Sequence, residues 1–259
     1  MLAGQRKERI AELVTQNGRV FVADLAEQFG VTRVTIRNDL ESLENRGVLE
    51  RTHGGAISAE NPGFLRYITD TIHENADKKE AIADAAARMI EPSTTVMIDS
   101  GSTTAYLARR IRDHHVTVVT NSALVAQELV NAEPVELLIT GGALRRPSMA
   151  YIGEPARLFL SQTRTDLMFL GATGFDIEHG ISCTNLIEAE TKRSMMKSSL
   201  KVCLVADSSK LGKVSMARIC GWEDIDVFIS DDIDPELAER LELLGVETIS
   251  AHHFQRRRV

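Results

Sequence analysis

The side chains of residues 33–41 could read the edges of DNA base pairs. On a helical wheel of about 100° per residue, Ile36, Leu40 and Leu43 share one apolar face. The opposite face and its flanks carry Arg33, Val34, Thr35, Arg37, Asn38 and Glu41. Arginine can pair with guanine, asparagine with adenine and glutamate with cytosine, while valine can contact the thymine methyl group. The segment therefore predicts a helix for the major groove, with an ordinary solvated helix face as the alternative.

A second group of side chains could bind an anion where a predicted strand gives way to a helix. The apolar run 95–98 is followed by Asp99, Ser100, Gly101, Ser102, Thr103 and Thr104. Free N–H groups at a helix N-terminus, the helix dipole and nearby hydroxyls all favour a bound phosphate. Gly101 would let the ligand approach the backbone. The alternative is a plain helix start, at which Ser102 is the capping residue.

Loops after other predicted strands supply further candidates, because ligands of parallel sheets lie beyond the carboxyl ends of the strands. These candidates are Asn121, Gly141, Gly142 and Lys210. We expect Lys210 to be the cation for a phosphate, and Arg145 is the second choice. Glu188 and Lys192 stand four residues apart on a predicted helix, so they either line the same pocket or form a surface pair.

The elements that position the first group are predicted to be three short helices and a hairpin. Apolar spacing predicts helices around residues 10–14 and 22–29, and Thr32 is the expected N-cap of the third. Asp39 lies near the apolar face, so we expect it to be a structural partner of a basic residue or a cap. Strand-like segments 48–51 and 56–58 flank a glycine turn, which predicts a wing whose Arg51 and His53 reach phosphate or the minor groove.

The rest of the chain predicts an α/β domain with a mostly parallel sheet covered on both faces. Apolar strand-like runs alternate with helical intervals at 95–99, 116–119, 135–140, 167–170, 202–206 and 227–230. Asn61-Pro62-Gly63 is a turn or linker signal. We therefore predict a winged helix-turn-helix domain at 1–58, a linker at 59–76 and an α/β domain at 77–259.

Composition limits the class of protein. Of the 259 residues 43% are hydrophobic and 26% charged, which is typical of soluble globular chains. No apolar run is long enough for a membrane helix, and the first residues do not form a secretory signal, so we expect a cytoplasmic protein. The net charge is −7, yet residues 1–57 hold eight basic and eight acidic residues. Three cysteines without a paired motif predict reduced thiols, and we expect neither a metal nor a cofactor.

These residues also carry a resemblance to a known family. The pattern Arg6-x3-Ile10-x3-Val14, a gap of 17 residues and the run from Thr32 to Leu40 resemble the signature of the DeoR family of bacterial transcriptional regulators. The wing sequence from Arg51 to Ala56 is similar to that of the family as well. The strand-end loops of the α/β domain resemble the sensor domain of the same family, which is similar in fold to ribose-5-phosphate isomerase.

The resemblance implies a repressor of a carbohydrate operon that binds double-stranded operator DNA and is released by a phosphorylated sugar. We also expect a homodimer or homotetramer, because paired recognition helices on one duplex read repeated half-sites, and no membrane partner. Residues 34–40 and 99–104 look most like those of regulators of amino-sugar catabolism, of the N-acetylgalactosamine type. Two alternatives stay open: a phosphosugar isomerase-like enzyme with an N-terminal helical domain, and a constitutive activator without a ligand.

Overall fold

The computed structural model describes residues 3–46, 48–52, 54–58 and 67–251. The chain divides into two compact units, Met1–Thr71 and Ile72–Val259. Helix Ile68–Thr71 lies within the range 59–76 that the sequence predicts as a linker.

The N-terminal unit is a small helical domain closed by a three-stranded antiparallel sheet. Its elements are α1 Ala3–Asn17, β1 Arg19–Phe21, α2 Val22–Phe29, α3 Arg33–Glu44, β2 Leu49–Thr52, β3 Gly55–Ser58 and α4 Ile68–Thr71. The strands run in the order β1-β3-β2. The predicted hairpin is confirmed as β2 and β3, which pair from Leu49 with Ser58 to Thr52 with Gly55. Strand β1 was not predicted, because only one of its three residues, Val20, is buried.

Local signals explain the turn between α2 and α3. Helix α2 ends at Gly30, whose φ of 62° lies in the left-handed region that glycine adopts without strain. Helix α3 then begins after Thr32, whose hydroxyl accepts a hydrogen bond from the Thr35 N–H. The predicted N-cap is therefore confirmed. The apolar faces of the helices meet in one core that contains Ile10, Val14, Leu25, Ile36, Leu40 and Leu43.

The second unit is built on a seven-stranded sheet. Its first elements are α5 Ala76–Ala87, β4 Thr95–Ile98, α6 Ser102–Arg110, β5 Val116–Thr120, α7 Ala123–Leu129, β6 Val135–Ile139, β7 Ala143–Arg145, β8 Ala150–Ile152 and α8 Glu154–Ser161. The later elements are β9 Thr165–Leu170, β10 Gly174–Asp176, β11 Gly180–Cys183, α9 Leu186–Lys197, β12 Ser199–Val205, β13 Ala217–Cys220, β14 Val227–Ser230, α10 Pro235–Leu243 and β15 Glu247–Ser250.

All seven strands of the large sheet are parallel, in the order β15-β14-β12-β9-β4-β5-β6. Alternate residues of a strand face opposite sides of the sheet, so Val96 and Ile98 join one hydrophobic cluster while Met97 joins the other. The predicted parallel sheet with both faces covered is confirmed. The sequence did not predict β15, the β7–β8 hairpin or the small antiparallel sheet β10-β11-β13, whose strands have three or four residues each.

Within the described ranges, no helix is both long and apolar enough to cross a membrane. The three cysteines are buried and form no disulfide.

Candidate functional site

The polar face of α3 is open to solvent. Arg33, Arg37, Asn38 and Glu41 are exposed, and Val34 is 62% exposed although it is apolar. Thr35 is half-buried, and its hydroxyl lies 2.9 Å from that of Thr32 at the helix start. Ile36, Leu40 and Leu43 on the other face are at most 1% exposed. The structure therefore leaves Arg33, Val34, Arg37, Asn38 and Glu41 exposed on the face opposite the core.

A buried ion pair fixes this helix against α1. Arg6 Nε donates to Asp39 Oδ2 at 2.6 Å, and the two side chains are only 9% and 6% exposed. Lys7 Nζ donates to the Ser42 hydroxyl at 2.8 Å beside it. Asp39 therefore has the structural role that the wheel predicts.

Of the two wing residues predicted to contact DNA, Arg51 lies within the described residues. Arg51 is half-buried on β2, and its N–H donates to Glu44 Oε1 at 2.9 Å. Its guanidinium lies 4.0 Å from the other oxygen of Glu44, so the hairpin is tied to the end of α3. His53 lies outside the described residues.

The anion candidates of the second unit lie where the connections of the sheet change direction. From β4 the chain continues through β5 to β6 on one side, and from β9 it continues through β12 to β14 and β15 on the other. Such a switch point leaves a crevice between the carboxyl ends of the two strands. Ser100 and Gly101 follow β4 there, and Gly171 and Ala172 follow β9. The two backbones approach so closely that a Cβ atom on Gly171 would lie 3.1 Å from the Ser100 carbonyl oxygen.

The N-terminus of α6 opens at this crevice without a side-chain cap. Gly101 occupies the N-cap position and is half-exposed, so the alternative in which Ser102 is the capping residue is wrong. Ser102, Thr103 and Thr104 are the first helical residues and are 8%, 3% and 0% exposed. Thr104 Oγ1 donates to the Gly101 carbonyl at 2.9 Å, whereas Thr103 Oγ1 has no hydrogen-bond partner among the described residues.

Asp99 and Lys192 form a buried ion pair at the base of the crevice. Asp99 is 0% exposed; its Oδ2 accepts from Lys192 Nζ and, at 3.0 Å, from the Gly171 N–H, while Oδ1 lies 3.4 Å from the Ser100 hydroxyl. Burial alone would lower the pKa of Lys192, but the carboxylates of Asp99 and Glu188 outweigh it and raise the pKa. The ammonium group therefore stays charged, and it donates to the Gly171 carbonyl at 3.2 Å as well.

Asp99 is predicted to contact the ligand, and the structure gives both its oxygens other partners. Lys210 lies on the neighbouring loop after β12, half-buried, and donates to the Ala172 carbonyl at 2.7 Å. Burial lowers the pKa of Lys210, and the nearby charge of Lys192 adds to this effect, while Asp207 opposes it. The preferred cation is thus at the crevice and is already held by the backbone.

Three further polar side chains are buried near this ion pair, those of Thr120, Asn121 and Glu188. Thr120 pairs with Ile98 across the sheet, and its hydroxyl donates to the Ile98 carbonyl at 2.6 Å. The next residue of each strand is therefore at the same level, which places Asn121 beside Asp99. Glu188 is 5% exposed; its Oε1 lies 3.8 Å from Lys192 Nζ, and its Oε2 lies 3.5 Å from Arg145 Nη1. Because Lys192 is only 2% exposed, the alternative of a surface pair is wrong.

The two glycines after β6 differ in role. Gly141 has a φ of 67° and open space where a side chain would be, and it is half-exposed. Gly142 has a φ of 112°, and a Cβ atom there would lie 2.6 Å from the Ile152 carbonyl oxygen. Gly142 is therefore required where β7 returns against β8, and Gly141 is the one with room for a ligand.

Comparison with protein families decides the identity of both units. A DeoR-like helix-turn-helix domain matches residues 6–61, and a DeoR C-terminal sensor domain matches residues 74–232. The chain belongs to the DeoR family. The predicted family and fold class are confirmed. Neither matching description is that of an enzyme domain.

Similarity to DeoR-family relatives extends over nearly the whole chain. The HTH-type transcriptional regulator GlpR of Haloferax volcanii is 39% identical over 96% of this chain and 98% of its own length. An Escherichia coli O157:H7 protein, provisionally named as an aga operon transcriptional repressor, is also 39% identical, over 95% of this chain and 93% of its own. Among solved structures, ribose 5-phosphate isomerase A of Methanocaldococcus jannaschii is 17% identical over 53% of this chain and 55% of its own, with a TM-score of 0.37.

Sequence reasoning left open whether α9 of this DeoR-family sensor contributes buried residues to the site. Spacing of four residues places Glu188 and Lys192 on one helical face, but it does not say whether that face is buried. The sequence did contain a signal for the start of the helix. Asn185 caps α9 by accepting a hydrogen bond from the Glu188 N–H at 3.0 Å, and this cap fixes where the helix begins.

Proposed function

We propose that this DeoR-family regulator represses a carbohydrate-catabolism operon and is released from its operator when a phosphorylated sugar binds the second unit. The observation that carries the proposal is the uncapped N-terminus of α6 with the buried, partnerless hydroxyl of Thr103. A buried polar group without a partner is costly, and a phosphate oxygen would supply the missing partner. The open polar face of α3 is the matching support for the DNA half of the proposal.

The phosphate is assigned to the start of α6, where Ser102, Thr103 and the backbone N–H groups converge. Lys210 supplies positive charge from the loop after β12. Asp99 holds Lys192 beneath the crevice. Gly141 leaves space for the ligand next to the backbone, whereas a Cβ atom on Gly101 would lie 3.1 Å from Thr104 Oγ1.

Release requires that the sugar phosphate prefer the state that does not fit the operator, since a ligand shifts an equilibrium only through differential affinity. A homodimer or homotetramer is part of the proposal. One short reading helix contacts few base pairs, and symmetric copies read repeated half-sites.

The test is a binding titration with the purified protein and the DNA upstream of its own and neighbouring genes. Phosphorylated hexoses, pentoses, amino sugars and polyols are added one at a time, starting with N-acetylgalactosamine 6-phosphate. We expect one phosphorylated compound to weaken DNA binding at least about 10-fold, within the usual range of allosteric coupling, and its unphosphorylated form to have no effect. Failure to retain any of these DNAs at low salt, or turnover of ribose 5-phosphate by the purified protein, would overturn the proposal.

A further inference from the structure

Several polar atoms beside the proposed phosphate site are buried without a hydrogen bond. Asn121 is 0% exposed, and neither its amide oxygen nor its amide nitrogen has a partner among the described residues. The same holds for Arg145 Nη2 and Glu188 Oε2, on side chains that are 10% and 7% exposed. The Arg145–Glu188 contact of 3.5 Å is too long for a good hydrogen bond, so both groups keep unused capacity.

These three side chains are held in place by three different elements. The Asn121 backbone is fixed because its carbonyl accepts from the Tyr151 N–H at 2.6 Å. Arg145 is on the β7–β8 hairpin and donates to the Ser148 hydroxyl at 3.2 Å. Glu188 lies in the first turn of the capped helix α9. A site assembled in advance from rigid elements loses little conformational freedom when a ligand binds.

The charges of this region indicate what kind of group it accepts. Arg145 is balanced by Glu188 and Lys192 by Asp99, so the four charges sum to zero. A second anionic group would meet no net positive charge here. The unused atoms include two donors, on Asn121 and Arg145, and two acceptors, on Asn121 and Glu188. A sugar hydroxyl both donates and accepts, so neighbouring hydroxyls match this mixture.

We propose that Asn121, Arg145 and Glu188 form a specificity subsite that binds neutral neighbouring hydroxyls of the sugar, apart from its phosphate. This inference rests on the proposed function, because it assigns the phosphate to α6. The subsite determines which sugar phosphate binds most tightly. The start of α6 binds the phosphate group that all sugar phosphates share.

The experiment compares inorganic phosphate with hexose 6-phosphates that differ at one hydroxyl, using calorimetric titration of the full chain. The variants are Asn121→Leu and Glu188→Gln, which keep side-chain size. Arg157→Met is the matched control, since Arg157 forms exposed pairs with Glu154 and Glu190. We expect both subsite variants to bind the preferred sugar phosphate about 10- to 100-fold more weakly and to discriminate less between epimers. Inorganic phosphate should bind them and Arg157→Met within about 2-fold of the parent protein.

Thermal unfolding without ligand separates lost binding from lost folding. Asn121→Leu removes a buried amide that has no partner, so we expect its unfolding temperature to be unchanged or higher. The subsite would be overturned if the variants lost affinity for inorganic phosphate and sugar phosphate equally, or if their discrimination between epimers were unchanged. It would also be overturned if Glu188→Gln lost affinity for amino sugars alone, because Glu188 would then bind a charged amine and not a neutral hydroxyl. If no sugar phosphate binds the parent protein at all, the proposed function fails as well.

Discussion

Arg37 and Asn38 are available to bases because the opposite face of α3 is already filled by core residues. We expect Arg37→Ala or Asn38→Ala to weaken binding to the regulator's DNA by about 10- to 100-fold and to relax the preference at one base pair. Arg240→Ala, an exposed arginine on α10, is the control and should bind as the parent protein does. Gel-shift titrations on single-base variants of the DNA measure both effects; uniform binding by all three variants would contradict the assignment.

Thr103 offers a second prediction at this scale. Thr103→Val keeps the shape of a residue that is 3% exposed and removes its partnerless hydroxyl. Loss of one hydrogen bond to a charged oxygen costs about 1.5–3 kcal/mol, so the effective sugar phosphate should bind about 10- to 100-fold more weakly. Thermal stability without ligand should not fall. A variant that binds the ligand normally would move the phosphate away from this helix.

Sequence could place the side chains of α3 on their faces because a helix wheel needs only local spacing. It could not show that Lys192 pairs with Asp99, since 93 residues separate them and the contact exists only in the folded sheet. The same limit explains why the sequence could not show that Asp99 is buried with Lys192 as its partner.

At the scale of elements, the ion pair of Arg6 and Asp39 joins α1 to α3. Removing one partner of a buried pair leaves the other charge uncompensated, so Asp39→Asn should lower the free energy of unfolding by about 3–5 kcal/mol. The double variant Arg6→Met, Asp39→Leu should recover most of that loss. Urea unfolding followed by circular dichroism measures both changes.

The exposed pair of Arg9 and Glu12 provides the comparison, because Glu12→Gln should cost less than about 1 kcal/mol. If Asp39→Asn were no worse than Glu12→Gln, the pair would not be what holds α3 in position.

Strands with continuous apolar runs or a glycine turn between them were predicted, whereas several short strands without such a signal were not. The core strands of the large sheet are buried on both faces, which produces continuous runs that sequence can detect. Strands β7 and β8 have three residues each and take their positions from contacts such as the close approach at Gly142. That hairpin carries Arg145, so the sequence could name the residue as a candidate but could not show that it lies beside Glu188.

For the second unit taken as a whole, Lys79 predicts how stability depends on pH. This residue of α5 is 3% exposed, and its ammonium group donates to the Ile72 carbonyl at 3.3 Å. Burial and the nearby charge of Lys210 together lower the pKa of Lys79 from 10.5 to about 8, although Asp207 and Glu74 oppose the shift. Between these two pH values the unfolded chain binds more protons, so stability rises with pH there. Below about pH 8 the buried charge costs at most about 3 kcal/mol.

Lys79→Met should therefore be more stable than the parent protein at pH 7, and the difference should shrink as the pH rises from about 8 to about 10.5. Urea unfolding of both proteins across this range measures the difference directly. A difference that stays constant over the whole range would show that the lysine does not titrate in the folded state as described.

The sheet brings Lys192 beside Asp99 only after most of the polypeptide has been made, and this order has a consequence during synthesis. A growing polypeptide leaves the ribosome N-terminus first, so α3 can fold before α9, which carries Lys192, has been made. Under the proposed function, a product cut short before Lys192 would keep the DNA-binding unit and lose its response to the sugar phosphate. We expect any such fragment that still pairs with a second copy on the operator to repress whether or not the sugar phosphate is present.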